Sequence, residues 1–470
     1  MDSVEIRVYL WSSVVKFLTQ IENLRSKMTE MSYPRMIQIK QKFKSAPAIE
    51  DIDQEVHRQL SKVGSMSSIR AGDSVAITAG SRGIANMHII LNALVKELKT
   101  LGASPFIIPA MGSHGGATAE GQADVLRHYK ITEETTGAPI KSSMETVEVG
   151  YAFGSDFLAP PAYAGAHPRG VPVYVDRNAY EADHIVVVNR IKQHTDFIGS
   201  IESGLIKMMA IGLGKRDGAA TYHKATLKYG FENVLRNVAD VVLSTGKVAF
   251  GLGIAENPYD ETAIIAALLP DKLVEDEEKL QKRAKELAAR LPLDELDVLI
   301  IDEIGKDISG TGMDTKVIGR MMHTGEKELE TPKITRIFAR DLTPNSMGNA
   351  AGIGFADFTT SRLVDKIDFE STYMNFITSM GPQKIRIPVH FDTDRKVLDA
   401  VFETIGMVKP EDSRVVRIKN TLKLGEVEVS EALLEAVKAR DDLEIAGELR
   451  EMEFDSEDNL VPLTLKLLKQ

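Results

Sequence analysis

Residues 189–223 form the part of the chain richest in side chains that can do chemistry. His194 follows an apolar segment, Lys207 stands in an otherwise apolar, methionine-rich helix (LIKMMAIGLG), and His223 closes the stretch. An amine held among apolar side chains loses its charge easily and becomes a nucleophile. The alternative is that the aliphatic stem of Lys207 lies along a half-buried helix with its charge in water.

A second candidate is His114, in the glycine-rich segment MGSHGGAT that follows the apolar segment PFIIP. A histidine held on such a loop can face a cleft and act as a general base near neutral pH. The alternative is a loop histidine that is exposed to solvent and has no chemical role.

The segment AGSRGI, residues 79–84, resembles a turn that holds an anion. Backbone N–H groups around Ser81 and Gly83 and the start of the next helix favour negative charge, and the guanidinium of Arg82 can bind a carboxylate or phosphate. The alternative is a plain turn with a surface arginine. The G-x-G-x-x-G pattern is absent, and IGLGKR at 211–216 lacks the spacing and the Ser or Thr of a P-loop, so neither dinucleotide nor NTP binding is predicted.

A fourth candidate segment is IGKDISGTGMD, Ile304–Asp314, which follows the apolar VLIID. Lys306 is a candidate anion ligand there, and Arg320, further along, is a candidate to face the cleft. The alternative is a glycine-rich loop that only leads into a second domain. The polar, glycine-rich residues 341–362 are expected to form a functional loop to which no chemistry is assigned.

A short apolar segment precedes each of these loops. These segments predict the strands and helices that hold the loops in position. Met87–Thr100 has helical spacing of its apolar residues. Strands followed by polar, glycine-rich loops and helices predict an α/β fold with mostly parallel sheets, whose active site lies beyond the carboxyl ends of the strands. The predicted strands of the first part of the chain are Ser74–Thr78, Pro105–Pro109, His184–Asn189 and Lys247–Ile254.

Two α/β domains with the active site in the cleft between them are predicted. Residues 1–35 are interpreted as an N-terminal extension, 36–293 as a cofactor-binding domain, and 296–440 as a C-terminal domain whose further predicted strands include Ile334–Arg340 and Ile385–His390. The tail, 441–470, is a candidate for packing back on the first domain.

Composition narrows the function classes. The chain has 470 residues, 43% of them hydrophobic and 27% charged, which is typical of a globular protein. It has no cysteine, which excludes disulfides, thiolate metal sites and cysteine nucleophiles. The net charge of −11 and the lack of basic runs argue against nucleic-acid or membrane partners. No secretory signal or membrane span is recognised, so a cytoplasmic location is expected.

Taken in order, these segments resemble the nickel-pincer lactate racemase family, most clearly from about residue 74 to residue 223 and more weakly around residues 298–322. No single motif is specific, but their order is. The matching motifs are the arginine turn SRG, the loop GSHG, then KQH, SGLIK and TYH.

The resemblance implies a cofactor, pyridinium-3-thioamide-5-thiocarboxylic acid mononucleotide carrying nickel, that is joined covalently to Lys207. It implies that His223 is the remaining nickel ligand, and the sulfur atoms of the cofactor would explain how a cysteine-free chain holds nickel. The cofactor would have to be built by dedicated biosynthetic enzymes, which are the implied partners. The other implied cofactor-binding residues are Ser81, Arg82, Gly83, Ser203, Gly204 and Lys306.

The implied reaction is racemisation or epimerisation of a 2-hydroxy acid by reversible hydride transfer. His114 and His194 would act as acid and base, because the two enantiomers present their hydroxyl groups from different sides. Arg82 and Arg320 are the implied substrate ligands.

The sequence also departs from the family pattern. The aspartate before the arginine of the first turn is absent, and the tyrosine–glutamine pair and lysine expected after Asp314 are replaced by TKVIGRMMH. The substrate is therefore predicted not to be lactate. Two alternatives stay open: another hydroxy-acid reaction on the same scaffold, and a protein that binds a nucleotide or small acid without nickel.

Overall fold

A computed structural model describes residues 31–44, 46–64, 68–81, 83–154 and 170–463. These residues form two larger β-sheets flanked by helices and one separate two-stranded ribbon. Most strand pairs within the two larger sheets are parallel. The predicted α/β class with mostly parallel sheets is therefore confirmed.

The smaller sheet has five strands, of which the first four in spatial order are parallel and the last is antiparallel. Runs of branched apolar residues buried on both faces explain why these segments form central parallel strands. In spatial order the strands are β3 (Ser104–Pro109), β2 (Ser74–Ala79), β6 (His184–Arg190), β7 (Val248–Glu256) and β8 (Thr262–Leu268). The two-stranded ribbon consists of β4 (Thr146–Ala152) and β5 (Val171–Asp176).

The larger sheet has eight strands and is parallel on one side and antiparallel on the other. In spatial order they are β12 (Val389–Phe391), β11 (Phe358–Thr360), β10 (Lys333–Ala339), β9 (Glu295–Ile301), β13 (Val415–Ile418), β14 (Glu426–Ser430), β1 (Met36–Gln41) and β15 (Leu443–Ile445).

Helices cover the faces of both sheets, and several begin at a side chain that accepts a backbone N–H, as Asp51 does for Gln54. None of the helices within the described residues is long and apolar enough to cross a membrane. The α-helices are Ile52–Val63, Met87–Thr100, Ala119–His128, Glu133–Thr136, Arg177–Glu181, Leu205–Lys207, Lys215–Tyr229, Phe231–Ser244, Leu273–Leu287, Thr315–Ile318, Ser361–Val364, Phe369–Thr378, Asp394–Phe402 and Leu434–Lys438.

Short helices of other types complete the secondary structure. One is a π-helix, Met208–Gly212, which continues directly from Leu205–Lys207. The 3-10 helices are Gly115–Ala117, Pro344–Ser346, Ile353–Phe355, Pro382–Ile385, Pro410–Asp412 and Glu431–Leu433.

The strand pairing differs from the predicted domain bounds at both ends of the chain. β1 was predicted to open the N-terminal domain, but it pairs with β14, where Met36 lies opposite Ser430. The tail strand β15 also pairs with β1, so it lies in the larger sheet and does not return to the smaller one. These strands pair with strands that are remote in sequence. The local sequence pattern therefore could not predict the pairing.

One predicted strand of the second half is also corrected. Ile385–His390 was predicted to be a strand. Ile385 is instead the last residue of the 3-10 helix Pro382–Ile385, and strand β12 begins only at Val389. Pro382 precedes this segment and Pro388 lies within it, and proline cannot donate a backbone hydrogen bond to a strand partner.

Candidate functional site

Three loops that follow neighbouring strands meet at one edge of the smaller sheet. β2 lies between β3 and β6, so the loops that carry Ser81, His114 and His194 are adjacent. Glycines let two of them approach the helix that carries Lys207: a Cβ at Gly80 would lie 3.3 Å from Cε of Met208, and one at Gly112 would lie 3.0 Å from Cγ2 of Ile211. The arrangement agrees with the predicted position of the site beyond the strand carboxyl ends.

Lys207 lies at the junction between an α-helical turn and a π-helix. The turn Leu205–Lys207 passes directly into the π-helix Met208–Gly212. A π-helical segment widens the backbone spiral and recurs at functional sites. Lys207 is half-buried between the buried side chains of Ile206 and Met208.

The buried carboxyl group of Glu277 contacts the start of this helical turn. It accepts the backbone N–H of Ile206 at 2.9 Å. Burial raises the pKa of Glu277 to about 8, although hydrogen bonds from the backbone of Ile206 and Leu205 oppose the shift. Gly204 leaves room for this carboxyl group, since a Cβ there would lie 2.1 Å from Oε1 of Glu277.

The side-chain nitrogen of Lys207 lies 2.7 Å from Nε2 of His194. The other ring nitrogen of His194, Nδ1, accepts the backbone N–H of Asp196 at 3.0 Å. Because Nδ1 acts as an acceptor, a neutral ring carries its proton on Nε2 and points it at Lys207. Burial lowers the pKa of His194 well below its usual range, and Lys207 in its ammonium form lowers it further, so the ring is neutral.

The loop of His194 is held by a second buried carboxylate, that of Glu202. It accepts the backbone N–H of His194 at 2.6 Å and that of Gly199 at 3.2 Å. Lys285 forms an ion pair with it at 2.6 Å. Ser203 closes the loop through paired backbone hydrogen bonds with Lys192. These contacts hold the backbone of the His194 loop in place, and the backbone in turn positions the ring.

His223 lies on the helix Lys215–Tyr229, which begins at a buried ion pair of 2.9 Å between Lys215 and Asp176. Its Nδ1 is buried and has no hydrogen-bond partner among the described residues. Burial is the main reason why the pKa of His223 falls to about 4. The ring is therefore neutral at pH 7, with a nitrogen left unsatisfied by protein contacts, as a metal or ligand site requires.

His114 and Ser81 are in contact, because the loops that carry them follow the neighbouring strands β3 and β2. Ser81 Oγ and His114 Nδ1 form a short hydrogen bond. The His114 side chain is exposed, on the loop between β3 and the helix Ala119–His128. Arg82, the predicted anion ligand of the same turn, lies outside the described residues. The neighbouring Gly83 packs near the ring of Tyr129.

The C-terminal half also contacts the His194 loop. Thr315 Oγ1 donates to the carbonyl of Thr195 at 2.8 Å, and Lys316 Nζ donates to that of Phe197 at 2.9 Å. Lys384, which is 1% exposed, forms an ion pair of 2.5 Å with Asp196. Burial alone would raise the pKa of Asp196, but the charge of Lys384 beside it keeps this pKa below the usual range.

His323 is the functional candidate that sequence reasoning missed. Its Nδ1 lies 3.1 Å from Nζ of Lys384, and its Nε2 is buried without a hydrogen-bond partner among the described residues. Burial and then Lys384 lower the pKa of His323 to about 4. The rings of His323 and His223 both pack edge-on against Phe231, with centroid distances of 5.1 and 6.2 Å.

The other predicted residues of the C-terminal half make contacts of a different kind. The guanidinium of Arg320 pairs with Asp357 at 2.7 Å and donates to the carbonyl of Phe355 at 2.7 Å. Lys306 Nζ donates to Asn375 Oδ1 at 2.8 Å. Their roles as substrate and cofactor ligands stay predictions, and the only signal that pointed to His323 was the histidine at the end of TKVIGRMMH.

The donor set fits a metal whose other ligands come from a cofactor. Within the described ranges, no group of three or more His, Cys, Asp or Glu side chains could hold a metal ion. His223 offers a single unsatisfied nitrogen, and Lys207 offers an amine in contact with His194. One imidazole and one amine do not make a metal site alone, but they suit a group that is attached to the amine and brings its own soft donors.

The chain is similar to a known protein family and to a solved structure. Residues 29–232 match the family model of the lactate racemase N-terminal domain, whereas no curated protein matches the chain. A solved structure of lactate racemase apoprotein from Thermoanaerobacterium thermosaccharolyticum is similar at 14% identity, with a TM-score of 0.47 over 87% of this chain and 97% of that chain. The matched range includes Ser81, His114, His194, Lys207 and His223. Over residues 29–232 the chain is therefore similar to the lactate racemase N-terminal domain family.

Proposed function

We propose that this protein is a racemase or epimerase of a 2-hydroxy acid that works with a nickel-pincer nucleotide attached to Lys207. The observation that carries the proposal is the contact between Lys207 and His194 in a segment that matches the lactate racemase N-terminal domain. When bound, the nucleotide supplies the acceptor that takes the α-hydrogen of the substrate with its electron pair and returns it.

Lys207 suits the role of attachment point because its amine is presented as a nucleophile. The neutral His194 ring points its Nε2 proton at the lysine nitrogen, and a nitrogen that accepts a hydrogen bond must carry a lone pair. His223 would contribute its unsatisfied Nδ1 as the metal ligand of the protein. Both side chains stand on helices anchored by buried carboxyl groups, Glu277 and Asp176, so that their positions are fixed before any cofactor binds.

His194 and His114 would move the proton of the substrate hydroxyl. Their loops follow β6 and β3, with β2 between them, so the two rings approach the sheet edge from two sides. A neutral imidazole can take a proton from a hydroxyl group as the α-hydrogen leaves, and an imidazolium can give it back. Burial keeps the His194 ring neutral in the absence of substrate.

The substrate is proposed to be a 2-hydroxy acid larger than lactate or carrying a second carboxylate. The sequence lacks the tyrosine–glutamine pair and the following lysine of the lactate enzymes, and His323 and Lys384 lie beside the His194 loop instead. Turnover of lactate that equals or exceeds turnover of larger or dicarboxylic hydroxy acids would contradict this part of the proposal.

The deciding experiment is peptide mapping, intact mass and metal analysis of the chain expressed with and without the enzymes that build the pincer nucleotide. A nucleotide-sized adduct on the Lys207 peptide, with about one nickel per chain, supports the proposal. The Lys207→Arg variant is the matched control, because it keeps a long basic side chain but cannot form the same linkage. An unmodified Lys207 under both conditions would overturn the mechanism and favour a protein that only binds a nucleotide or small acid.

A further inference from the structure

His323 presents a buried hydrogen-bond donor whose position the surrounding backbone holds in place. The residue before it, Met322, has a φ of 44°, in the left-handed region that costs energy for a side-chain-bearing residue. The carboxylate of Glu328 holds this turn by accepting the N–H groups of Met321 and Met322, each at 2.8 Å. Gln383 Nε2 donates to the carbonyl of Met322 at 2.7 Å and ties the turn to the helix of Lys384.

Lys384 determines which nitrogen of His323 carries the proton. An ammonium group has only donors, so the 3.1 Å contact with Nδ1 makes that nitrogen an acceptor. The neutral ring then carries its proton on Nε2, which is buried and has no partner among the residues that the structure describes. A buried N–H without an acceptor is costly, and a ligand that supplies an acceptor removes that cost.

The groups around this N–H indicate what would accept its proton. Lys384 brings a positive charge, which Asp196 balances at 2.5 Å, and Phe231 covers the His323 ring from one side. Asp196 is joined through its backbone N–H to His194, so the Nε2 of His323 belongs to the same cluster as the proposed proton-transfer group. An oxygen with negative or partial negative charge is the complementary partner of this N–H, because a cation cannot accept its proton.

We propose that His323 is a substrate-binding residue whose Nε2–H donates to a carboxylate or carbonyl oxygen of the hydroxy acid, and that Lys384 is the positioning residue that fixes its tautomer. The inference rests on the proposed function for the substrate class. Both residues lie outside the matched range 29–232, so this recognition comes from the part of the chain that the family model does not cover. It would supply the substrate selectivity for which Arg320, paired with Asp357, was predicted.

The test uses the full chain, labelled with ¹⁵N-histidine and titrated with D- and L-malate and with lactate. Two-bond ¹H–¹⁵N spectra should show His323 as the Nε2–H tautomer, and malate should shift its Nε2 resonance. In Lys384→Met the two tautomers should become mixed, whereas Lys384→Arg should keep the Nε2–H form, since arginine also has only donors. A His323 tautomer that is the same in Lys384→Met as in the wild type would overturn the role of Lys384.

Calorimetric binding of malate gives the second readout. His323→Leu, which removes the donor, should weaken binding by about ten-fold or more, and His323→Gln, which keeps an N–H, should stay within about three-fold of the wild type. His57→Leu is the control, because His57 is an exposed histidine paired with Glu97. Wild-type affinity for malate in His323→Leu would overturn the proposal. If that variant does not fold, the proposal is overturned when malate leaves the Nε2 resonance of His323 in the wild type unchanged.

The two proposals fail separately. If Lys207 carries no adduct but malate still shifts Nε2 of His323, the racemase proposal falls and the anion site stands. If Lys207 carries the nucleotide but neither malate nor lactate affects His323 in the apo or loaded chain, the substrate role of His323 falls alone.

Discussion

Nζ of Lys207 and Nε2 of His194 lie 2.7 Å apart, and the backbone N–H of Asp196 occupies the other nitrogen of the ring. We infer from these two contacts that the proton between Lys207 and His194 stays on the ring and that the lysine nitrogen accepts it. We predict that Lys207 is methylated by formaldehyde and cyanoborohydride at pH 7 at a rate close to its rate at pH 10, because reductive methylation needs the neutral amine. Peptide mapping by mass spectrometry measures both rates.

Exposed Lys224, on the helix that also carries His223, is the internal control for this labelling. The pH dependence of its labelling rate is the reference with which that of Lys207 is compared. If Lys207 and Lys224 show the same pH dependence, Lys207 is an ammonium and the assignment of the proton is wrong.

Glu202→Gln should loosen the His194 loop. The glutamine keeps one acceptor for the two backbone N–H groups but leaves Lys285 without its buried counter-charge, so we expect a loss of about 1–3 kcal/mol in the free energy of unfolding. Amide hydrogen exchange should become faster over residues 194–199, with little change on β6. Glu286→Gln, an exposed position on the helix of Lys285, should leave exchange in this loop unchanged.

Glu277→Gln should change how stability depends on pH. The folded-state pKa of Glu277 is about 8, above the usual 4.5. Between pH 4.5 and pH 8 the folded chain therefore holds a proton that the unfolded chain has lost. Its stabilising contribution is complete below about pH 4.5 and is lost as pH rises through 8. The variant should therefore gain about 2–4 kcal/mol over the wild type between pH 5 and pH 8.5. Urea unfolding at several pH values measures this, and a constant difference between the two proteins would contradict the prediction.

Lys384→Met should cost about 3–5 kcal/mol in the free energy of unfolding, because it leaves Asp196 charged and partly buried without a partner. The double variant with Asp196→Asn should lose less than the sum of the single variants, since neither charge then remains alone. A double-mutant cycle by chemical denaturation gives the coupling energy. Additive losses would mean that the ion pair contributes nothing to the contact between the two halves.

Local sequence pattern was sufficient for most strands of the smaller sheet and for the glycine-rich loops that follow them. β2, β3, β6 and β7 are short runs of branched apolar residues that end in glycine-rich loops, and the helix Met87–Thr100 lies within the bounds that its spacing predicted. His194 stands just beyond β6, but its contact with Lys207, which lies on the later turn Leu205–Lys207, was not predicted from the pattern.

Features that depend on remote partners were not predictable in this way. Lys384 and His323 stand in segments, GPQKIRIP and GRMMHTG, that look like ordinary turns, and only the packing of the C-terminal half on Asp196 gives them a function. The π-helix after Lys207 was missed because MMAIG has no pattern that separates it from an α-helix.

The position of β1 between β14 and β15 also has a consequence for biosynthesis. Along the chain, every element from Ile52 to Leu287 lies between β1 and β9, which both belong to the larger sheet. The smaller sheet is thus inserted in the sequence of the larger one. On the ribosome, the smaller sheet is complete once Leu268 has emerged, whereas Met36 must wait for Ser430. The half that carries Lys207, His194 and His223 is thus expected to acquire its structure first, and the half that carries His323 and Lys384 closes over a site already formed.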